Sequence, residues 1–325
     1  ANDLFVELQE KLEGKKVRIV FPEAYDERVL EAAVKLSATS YVQPVLVGKR
    51  ERVEEIAQPL FLNVSGIEFV DHENYEKYDE MVAKFVERRA GKVTEEKARE
   101  LLQDVNYFGT MLVYMGEVEG LVSGAIHSTG DTVRPALQII KTKPGVSRTS
   151  GAFIMSRNAS RFIFADCAIN TTIDAQGLAE IAVESAKTAK AFNINPKVAM
   201  LSFSTYGSAK TEETLKVAEA TKLVREKAPT LPVGGEMQFD AAYVPPVAKL
   251  KAPNSEIQGD ANVFIFPSLE AGNIGYKIAE RLGGFEAVGP ILQGLNAPVN
   301  DLSRGCSSID VLKLALITAV QALEK

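Results

Sequence analysis

The stretch from Val17 to Val47, VRIVFPEAYDERVLEAAVKLSATSYVQPVLV, contains the pattern that decides the fold. The run VRIVF (17–21) is apolar, β-branched and followed by proline, which is typical of a short buried strand. The segment DERVLEAAVKL (26–36) has apolar residues at the spacing of one helical face, which predicts a helix. Pro44 to Val47 form the next predicted strand. This order predicts a βαβ unit with parallel strands.

The same alternation of strands and helices extends over the rest of the chain. We therefore predict an α/β fold with mainly parallel sheets that helices cover on both faces. Further strands are predicted at 67–70, 121–123, 162–168, 198–203 and 263–267, and helices at 4–12, 78–85, 175–192, 211–227, 270–282 and 309–323.

A chain of 325 residues exceeds the useful size of one hydrophobic core, so two lobes are expected. The segment KTKPGVSR (141–148) combines charge, proline and glycine without an apolar stripe, which favours a lobe boundary there. Ligands of open α/β sheets bind where loops leave the carboxyl ends of strands. The sequence therefore predicts a site built from strand-to-helix loops, in a cleft between two lobes.

Composition excludes several classes of partner. A net charge of −6 and a pI near 5.3 argue against nucleic acid or an anionic membrane as a partner. Two cysteines, Cys167 and Cys306, cannot form a disulfide framework, which favours a reducing cytoplasm. No apolar stretch approaches the ~20 residues of a membrane span, and the first residues lack the apolar core of a secretory signal. We expect a cytoplasmic protein.

The loop SGAIHSTGDTVRP (123–135) is the first candidate for a ligand site. Its small and hydroxyl residues allow a ligand to approach the backbone, and Pro135 suits the first turn of a helix. Arg134 would then lie at a helix N-terminus, where a cation is favourable only beside an anion. The alternative is a surface arginine that contacts a nearby carboxylate.

The segment SFSTYGSAKTEET (202–214) is the second candidate, because it has the strand, loop and helix order of a phosphate cradle. Ser204 and Ala209 occupy the two glycine positions of the Walker pattern, so nucleotide phosphoryl transfer is not supported. The alternative is a hydroxyl-rich turn in which Thr211 caps the following helix.

Two glycines make FPSLEAGNIGYK (266–277) the third candidate. Gly272 and Gly275 each lower helix stability by roughly 1 kcal/mol relative to alanine. Close approach of a ligand or tight packing would explain them equally well.

The fourth candidate is PVNDLSRGCSSID (298–310), which carries a hydroxyl, a guanidinium, a thiol and a carboxylate close to a predicted helix N-terminus. Asn300 and Asp301 favour a turn. Cys306 is either a small buried residue or a thiolate activated by its surroundings, and the thiolate would need a histidine base, for which His127 is better placed than His72. Ser307 and Asp310 also fit a capping box, in which the carboxylate only closes the helix end.

Taken together, four segments resemble the phosphate acetyltransferase (phosphotransacetylase) family in its short form, to which phosphate butyryltransferases are related. The resemblance implies acetyl transfer between coenzyme A and phosphate by direct displacement in a ternary complex. It also implies a homodimer and an isocitrate or isopropylmalate dehydrogenase-like architecture of two α/β/α lobes, 1–143 plus 297–325 and 144–296. The segments are GLVSGAIHSTGDTVRPALQIIKTK (120–143), VAMLSFSTYGSAK (198–210), ANVFIFPSLEAGNIGYKIAERL (261–282) and PILQGLNAPVNDLSRGCSSIDV (290–311).

By matching motifs, the resemblance implies that Asp310 is the base that takes the proton of the thiol, with Ser303 and Arg304 as further catalytic residues. No metal or redox cofactor is expected, because coenzyme A is a substrate and no His/Cys ligand set is present. The substrate-binding residues implied in the same way are Arg134, Arg89, Ser128, Thr129, Ser204, Gly207, Ser208, Asn273 and Gly275, and the position of Arg89 could instead belong to Arg88.

Three alternatives stay open at this point. Cys306 would act as an acetylated nucleophile in one of them. The other two are an acyltransferase for longer chains, similar to phosphate butyryltransferase, and a non-catalytic sensor of coenzyme A or acetyl phosphate.

Overall fold

The computed structural model describes residues 3–324, and its elements follow the predicted alternation. The strands are β1 (Val17–Phe21), β2 (Val42–Val47), β3 (Glu68–Val70), β4 (Gly120–Ser123), β5 (Ser150–Arg157), β6 (Ser160–Ala165), β7 (Val198–Leu201), β8 (Val233–Met237), β9 (Val263–Ile265), β10 (Glu286–Gln293) and β11 (Val299–Asp301). The helices are α1 (Leu4–Leu12), α2 (Glu27–Ser37), α3 (Arg50–Ala57), α4 (Tyr78–Arg89), α5 (Glu95–Leu101), α6 (Val105–Tyr114), α7 (Thr129–Pro135), α8 (Ala175–Ala191), α9 (Glu212–Lys227), α10 (Phe239–Tyr243), α11 (Pro245–Lys251), α12 (Leu269–Arg281) and α13 (Ser308–Leu323).

The chain divides into two compact units. The discontinuous unit consists of Leu4–Thr142 and the chain from Leu295 onward, and the central unit consists of Lys143–Gly294. Each unit contains one sheet.

The sheet of the discontinuous unit is entirely parallel, in the order β11-β4-β1-β2-β3. Its strands are short apolar runs such as VRIVF in β1, which is buried apart from the half-exposed Arg18. Parallel strands place their carboxyl ends at one edge of the sheet. The loops that follow β1, β4 and β11 therefore leave neighbouring strands at the same edge.

The helix α2 shows how local sequence determines an element of this unit. The carboxylate of Asp26 accepts hydrogen bonds from the backbone N–H groups of Arg28 and Val29, which satisfies donors that a helix N-terminus leaves unpaired. Its apolar residues share one buried face, which includes Val29, Leu30, Ala33 and Leu36.

The sheet of the central unit has the order β10-β5-β6-β9-β7-β8 and is mixed. The strands β6, β9, β7 and β8 are parallel, whereas β10, β5 and β6 pair antiparallel. The α/β fold with mainly parallel strands is confirmed, but the strands β5, β8, β10 and β11 and the helices α3, α5, α6, α10 and α11 were not predicted. Paired glycines in β8 and the Gly289–Pro290 dipeptide in β10 hide these two strands from a pattern search.

Two local predictions were wrong. The helix after β4 begins at Thr129 and not at Pro135, which lies inside α7 and is followed by a π-helical turn at Ala136–Ile140. Asn300 and Asp301 belong to β11 and not to a turn, because β11 pairs with β4 in the sheet.

No helix within residues 3–324 has the length and apolar character that crossing a membrane requires.

Candidate active site

The loop after β4 is held by one buried carboxylate. The side chain of Glu23, which follows β1, is 1% exposed. Its oxygens accept hydrogen bonds from the backbone N–H groups of Gly124, Ala125 and Ile126 at 2.8, 2.8 and 2.7 Å. The Nδ1 atom of His127 lies 2.6 Å from the same carboxylate. His127 is therefore engaged in holding this loop, which fixes the start of α7.

Ser128 and Thr129 begin α7. The Oγ of Ser128 caps the helix by accepting the N–H of Asp131 at 3.1 Å. Arg134 lies in the last turn of this helix, so its predicted place at a helix N-terminus was wrong. Its side chain is exposed, with Nη1 3.8 Å from the Oδ1 of Asp131.

The positive charge of Arg89 acts on the same tyrosine, Tyr107, as that of Arg134. Burial raises the pKa of Tyr107, and the positive charges of Arg134 and Arg89 both act against that rise. Arg88 is used differently, since its Nε donates to the carbonyl of Ile139 at 2.7 Å and its guanidinium lies over the ring of Tyr114. Of the two neighbours on α4, Arg89 is thus the one whose charge acts beside that of Arg134.

The turn between β11 and α13 carries Ser303 and Arg304, both exposed. The guanidinium of Arg28 donates to the carbonyls of Arg304 and Cys306 at 2.7 and 3.0 Å, and to the carbonyl of Ala125 at 2.9 Å. Its other contacts are with the carboxylate of Asp26. Arg28 therefore ties this turn to the loop after β4.

Asp310 forms the capping box that the sequence indicates. Its N–H donates to the Oγ of Ser307 at 3.1 Å, and its Oδ2 accepts the N–H of Ser307 at 2.9 Å. The side chain is nevertheless exposed. The capping role is confirmed, and it uses one of the two carboxylate oxygens.

Cys306 is 6% exposed and packs below this turn. Burial raises the pKa of its thiol, and the nearby charge of Arg28 offsets only part of that effect. The thiol therefore lacks the lowered pKa of a cysteine nucleophile, and His127 is held by Glu23.

Asp301 is an unexpected member of the site. It ends β11, is 3% exposed, and has a carboxyl pKa raised to about 6, chiefly by burial and also by the charge of Glu23. The hydroxyls of Thr129 and Thr132 act in the opposite direction. Within residues 3–324, the Oδ1 of Asp301 is buried and has no hydrogen-bond partner.

Sequence patterns did not single out Glu23, Arg28 or Asp301 as functional. Glu23 follows β1 and Asp301 ends β11, so both lie at the carboxyl edge of the parallel sheet. A search for polar residues just after predicted strands would have identified Glu23 as a candidate site residue. For Arg28, a helix residue whose backbone-carbonyl partners are 97 to 278 positions away, no local pattern exists.

The hydroxyl-rich loop of the central unit is held in a similar way. Ser204 is buried, and its Oγ donates to the Oε2 of Glu236 at 2.6 Å. The N–H of Gly207 donates to the same oxygen at 2.9 Å, and the Oγ of Ser208 accepts the N–H of Thr205 at 3.0 Å. Because Glu236 already occupies the inside of this loop, only its exposed side, with Gly207 and Ser208, is open to a ligand.

The glycines of α12 have a packing explanation. A Cβ on Gly272 would lie 2.2 Å from the carbonyl oxygen of Asp166, and one on Gly275 would lie 2.9 Å from the ring of Phe266. The side-chain amide of Asn273 donates to the carbonyl of Cys167 at 3.1 Å. Close contact with the backbone after β6 thus requires Gly272, and close contact with the ring of Phe266 favours Gly275.

The predicted site residues fall into two groups. Arg89, Ser128, Thr129, Arg134, Ser303, Arg304 and Asp310 belong to the discontinuous unit, where α7 and α13 both pack against β11. Ser204, Gly207, Ser208, Asn273 and Gly275 belong to the central unit. In the described part of the chain, no three His, Cys, Asp or Glu side chains are grouped to hold a metal ion.

Comparisons with known proteins cover nearly the whole chain. The family model described as phosphate acetyl/butaryl transferase matches residues 3–319. A phosphate acetyltransferase of Bacillus subtilis (strain 168) is 64% identical over 321 residues, which covers 99% of each chain. The solved structure of EutD phosphotransacetylase from Staphylococcus aureus is 63% identical with a TM-score of 0.95, covering 99% of this chain and 100% of that one. A phosphotransacetylase structure from Streptococcus pyogenes is 56% identical with a TM-score of 0.97, covering 99% and 98%.

Proposed function

The chain belongs to the phosphate acetyl/butaryl transferase family, and we infer that it transfers an acetyl group reversibly between coenzyme A and inorganic phosphate. The observation that carries this inference is the full-length similarity to phosphate acetyltransferases. Transfer of longer acyl groups and a purely sensory role are not favoured by those relatives.

The chemistry needs a base, a site for anions and stabilisation of a developing oxyanion. The sulfur of coenzyme A attacks the carbonyl carbon of acetyl phosphate, a carbon–sulfur bond forms, and the carbon–oxygen bond to phosphate breaks. A free thiol has a pKa of about 8.5, so at neutral pH a base must take its proton as the attack proceeds. The proton goes to the base and phosphate leaves as an anion.

Asp310 is the proposed base. Its exposed carboxylate lies in the first turn of α13, and the cap occupies only Oδ2. A carboxylate has two oxygens, so Oδ1 can accept the thiol proton while Oδ2 caps the helix. The cap then has a function of its own, because it holds the base in a fixed orientation.

Ser303 and Arg304 are proposed to contact the reacting groups. The Oγ of Ser303 accepts the N–H of Gly305 at 3.2 Å, which leaves the hydroxyl proton to donate to a substrate oxygen. The guanidinium of Arg304 can neutralise the oxyanion or the leaving phosphate. Both side chains extend from a backbone that Arg28 holds at two carbonyls.

The remaining proposed substrate-binding residues supply positive charge and small polar groups. Arg134 and Arg89 are proposed to bind phosphate or coenzyme A together, since both of their charges act on the same residue, Tyr107. Ser128 and Thr129 lie at the start of α7, and α7 packs against β11, the strand that leads into the proposed catalytic turn. In the central unit Gly207 and Ser208 are exposed, whereas Ser204, Asn273 and Gly275 serve by shaping the backbone around them.

The proposed function is tested by measuring acetyl-CoA formed from acetyl phosphate and coenzyme A, with propionyl and butyryl phosphate as matched substrates. We expect turnover with acetyl phosphate and a lower kcat/KM for butyryl phosphate, since a confined pocket discriminates by ~1–3 kcal/mol per methylene. Binding of coenzyme A without turnover would support the sensor instead. Preference for butyryl phosphate would support the longer-chain acyltransferase.

A homodimer in the cytoplasm, with no metal or redox cofactor, completes the proposal. Ile274, Ile278 and Leu282 are exposed apolar side chains at successive helical turns of α12 and just beyond its end, which supports an association surface. Light scattering during gel filtration tests the dimer, and a monomer mass at micromolar concentration would contradict it.

A further inference from the structure

Asp301 connects the two segments that carry the proposed catalytic groups. It ends β11, two residues before Ser303, and is paired in register with Ser123 at the end of β4. The N–H of Leu302 donates to the carbonyl of Ser123 at 2.7 Å, so the backbone on both sides of Asp301 is fixed. Its side chain can therefore act as a rigid support.

The surroundings of the Asp301 carboxylate leave it little freedom. Gly124 has a φ of +123°, and a Cβ there would lie 2.5 Å from the Oδ1 of Asp301. The helix α7 packs against β11, and the hydroxyls of its residues Thr129 and Thr132 favour the charged form of the carboxyl group. The carboxylate thus occupies a narrow space between the loop after β4 and α7.

The charges around Asp301 do not compensate its own. Glu23 is the charged group that acts on it, and Glu23 repels it, while His127 and the N–H groups of the β4 loop are already hydrogen-bonded to Glu23. Burying an acceptor without a full set of donors costs stability, so an uncharged side chain of the same shape would be the more stable choice.

Burial of the Asp301 carboxylate lowers the stability of the fold, and the residue lies close in the chain to Ser303 and Arg304. Both facts favour a role in catalysis over a role in packing. Within the described chain, the Oγ1 of Thr132 is also buried without a hydrogen-bond partner, and it is 1% exposed as a residue. The two atoms are complementary, since one is an acceptor and the other a hydroxyl donor.

We propose that Asp301 is a positioning residue, whose carboxylate holds α7, through the hydroxyls of Thr129 and Thr132, in register with the turn that carries Ser303 and Arg304. The inference rests on the proposed acetyl transfer. It assigns Asp301 no contact with the reacting atoms. Its role is to keep Ser128, Thr129 and Arg134 at a constant spacing from Ser303 and Arg304, because a small misplacement of such groups is costly to the rate.

The test is Asp301→Asn in the full chain, assayed for acetyl-CoA formation and thermal unfolding at pH 7.5. We expect kcat to fall at least about tenfold while the Tm is unchanged or higher, because the variant keeps the shape and removes the buried charge. A residue that only supports packing would lose Tm together with activity. Thr132→Val should lower kcat in the same direction, Thr132→Ser should restore it, and the double variant Asp301→Asn/Thr132→Val should lose less than the sum of the single effects.

The matched control is Thr221→Val, the same chemical change at a buried threonine of α9, whose hydroxyl donates to the carbonyl of Val217. It should keep the wild-type kcat. Wild-type kcat in Asp301→Asn, or a joint loss of kcat and Tm, would overturn the role of Asp301 and leave the proposed function intact. A wild-type protein that forms no acetyl-CoA would overturn the proposed function, and the inference with it.

Discussion

At the scale of single residues, Asp310 combines a structural and a proposed chemical role in one carboxylate. The Oδ2 atom closes the capping box of α13, and the side chain is still exposed. A base held by such a cap loses little orientational freedom when substrate binds. The neighbouring Cys306 has the opposite character, since it is buried and the pKa of its thiol is raised.

Asp310→Asn should lower kcat by roughly 10²- to 10⁴-fold, because an amide cannot take the thiol proton. Stability should change little, since the amide oxygen can still accept the N–H of Ser307. Steady-state kinetics and thermal unfolding measure the two effects. Asp240→Asn, the same change at an exposed aspartate in the first turn of α10, is the control. Wild-type turnover in the Asp310 variant would refute its role as the base.

Cys306→Ala should keep kcat within about twofold of wild type, since a buried thiol with a raised pKa is not a nucleophile. Loss of a small packed side chain should lower the Tm slightly. The rate of alkylation by iodoacetamide should be slow in the native wild-type protein, for the same reason. A Cys306→Ala protein that folds but has no activity would instead favour the acetylated-cysteine route.

At the scale of elements, two helices use the same capping device in different surroundings. Ser307 and Asp310 form a capping box on α13, and Thr211 and Thr214 form one on α9. Both patterns satisfy N–H groups at the helix start. Only the box on α13 contains a proposed catalytic residue.

Removing the capping hydroxyls separates stability from function. Ser307→Ala and Thr211→Ala should each lower the free energy of unfolding by about 1 kcal/mol. Ser307→Ala should also lower kcat, because it releases the backbone that orients Asp310, whereas Thr211→Ala should keep the wild-type kcat. Denaturant titrations and kinetics on both variants test this pair. If Ser307→Ala and Thr211→Ala had the same kcat, the cap on α13 would have no role in orienting Asp310.

At the scale of the whole molecule, the order of one sheet brings together the residues that hold the loops around the proposed catalytic groups. β4 lies between β11 and β1, so Glu23, Gly124 and Asp301 meet at one edge although they are distant in the chain. Each contributes to holding a loop in place, and the charge of Asp301 is the part of this arrangement that opposes stability.

The raised pKa of Asp301 predicts a pH dependence of unfolding. The folded state binds this proton with a pKa of about 6. The unfolded chain binds it with a pKa of about 3.9, so the folded state holds more protons between about pH 4 and pH 6. Stability from this group is therefore present at low pH and is lost as the pH rises through that window, by roughly 3 kcal/mol at most.

Comparing wild type with Asp301→Asn isolates this contribution from the other carboxylates. The stability of the variant relative to wild type should increase from pH 4 to pH 6 and stay constant from about pH 7 to pH 8. Chemical unfolding at several pH values measures it. A difference that does not change with pH would mean that Asp301 titrates normally in the folded protein.

Much of the fold could be predicted from local patterns, since β1 and α2, the helical face of α4 and both capping boxes depend on residues that are near in the chain. The strands β11 and β8 were missed for one reason, which is that pairing with a neighbouring strand stabilises them. Asp301 resembles a turn residue until β4 pairs with it, and the glycines of β8 hide a strand that β7 stabilises.

The sequence by itself determined the alternation of strands and helices, because this depends on short spacing, and it carries the family resemblance that implies Ser303, Arg304 and Asp310 as catalytic residues. Only the tertiary structure decided that Glu23 fills the loop after β4, that Arg28 holds the carbonyls of Arg304 and Cys306, and that Asp301 is buried beside α7. The physical reason is that backbone pairing and burial bring together groups whose separation along the chain no local pattern records.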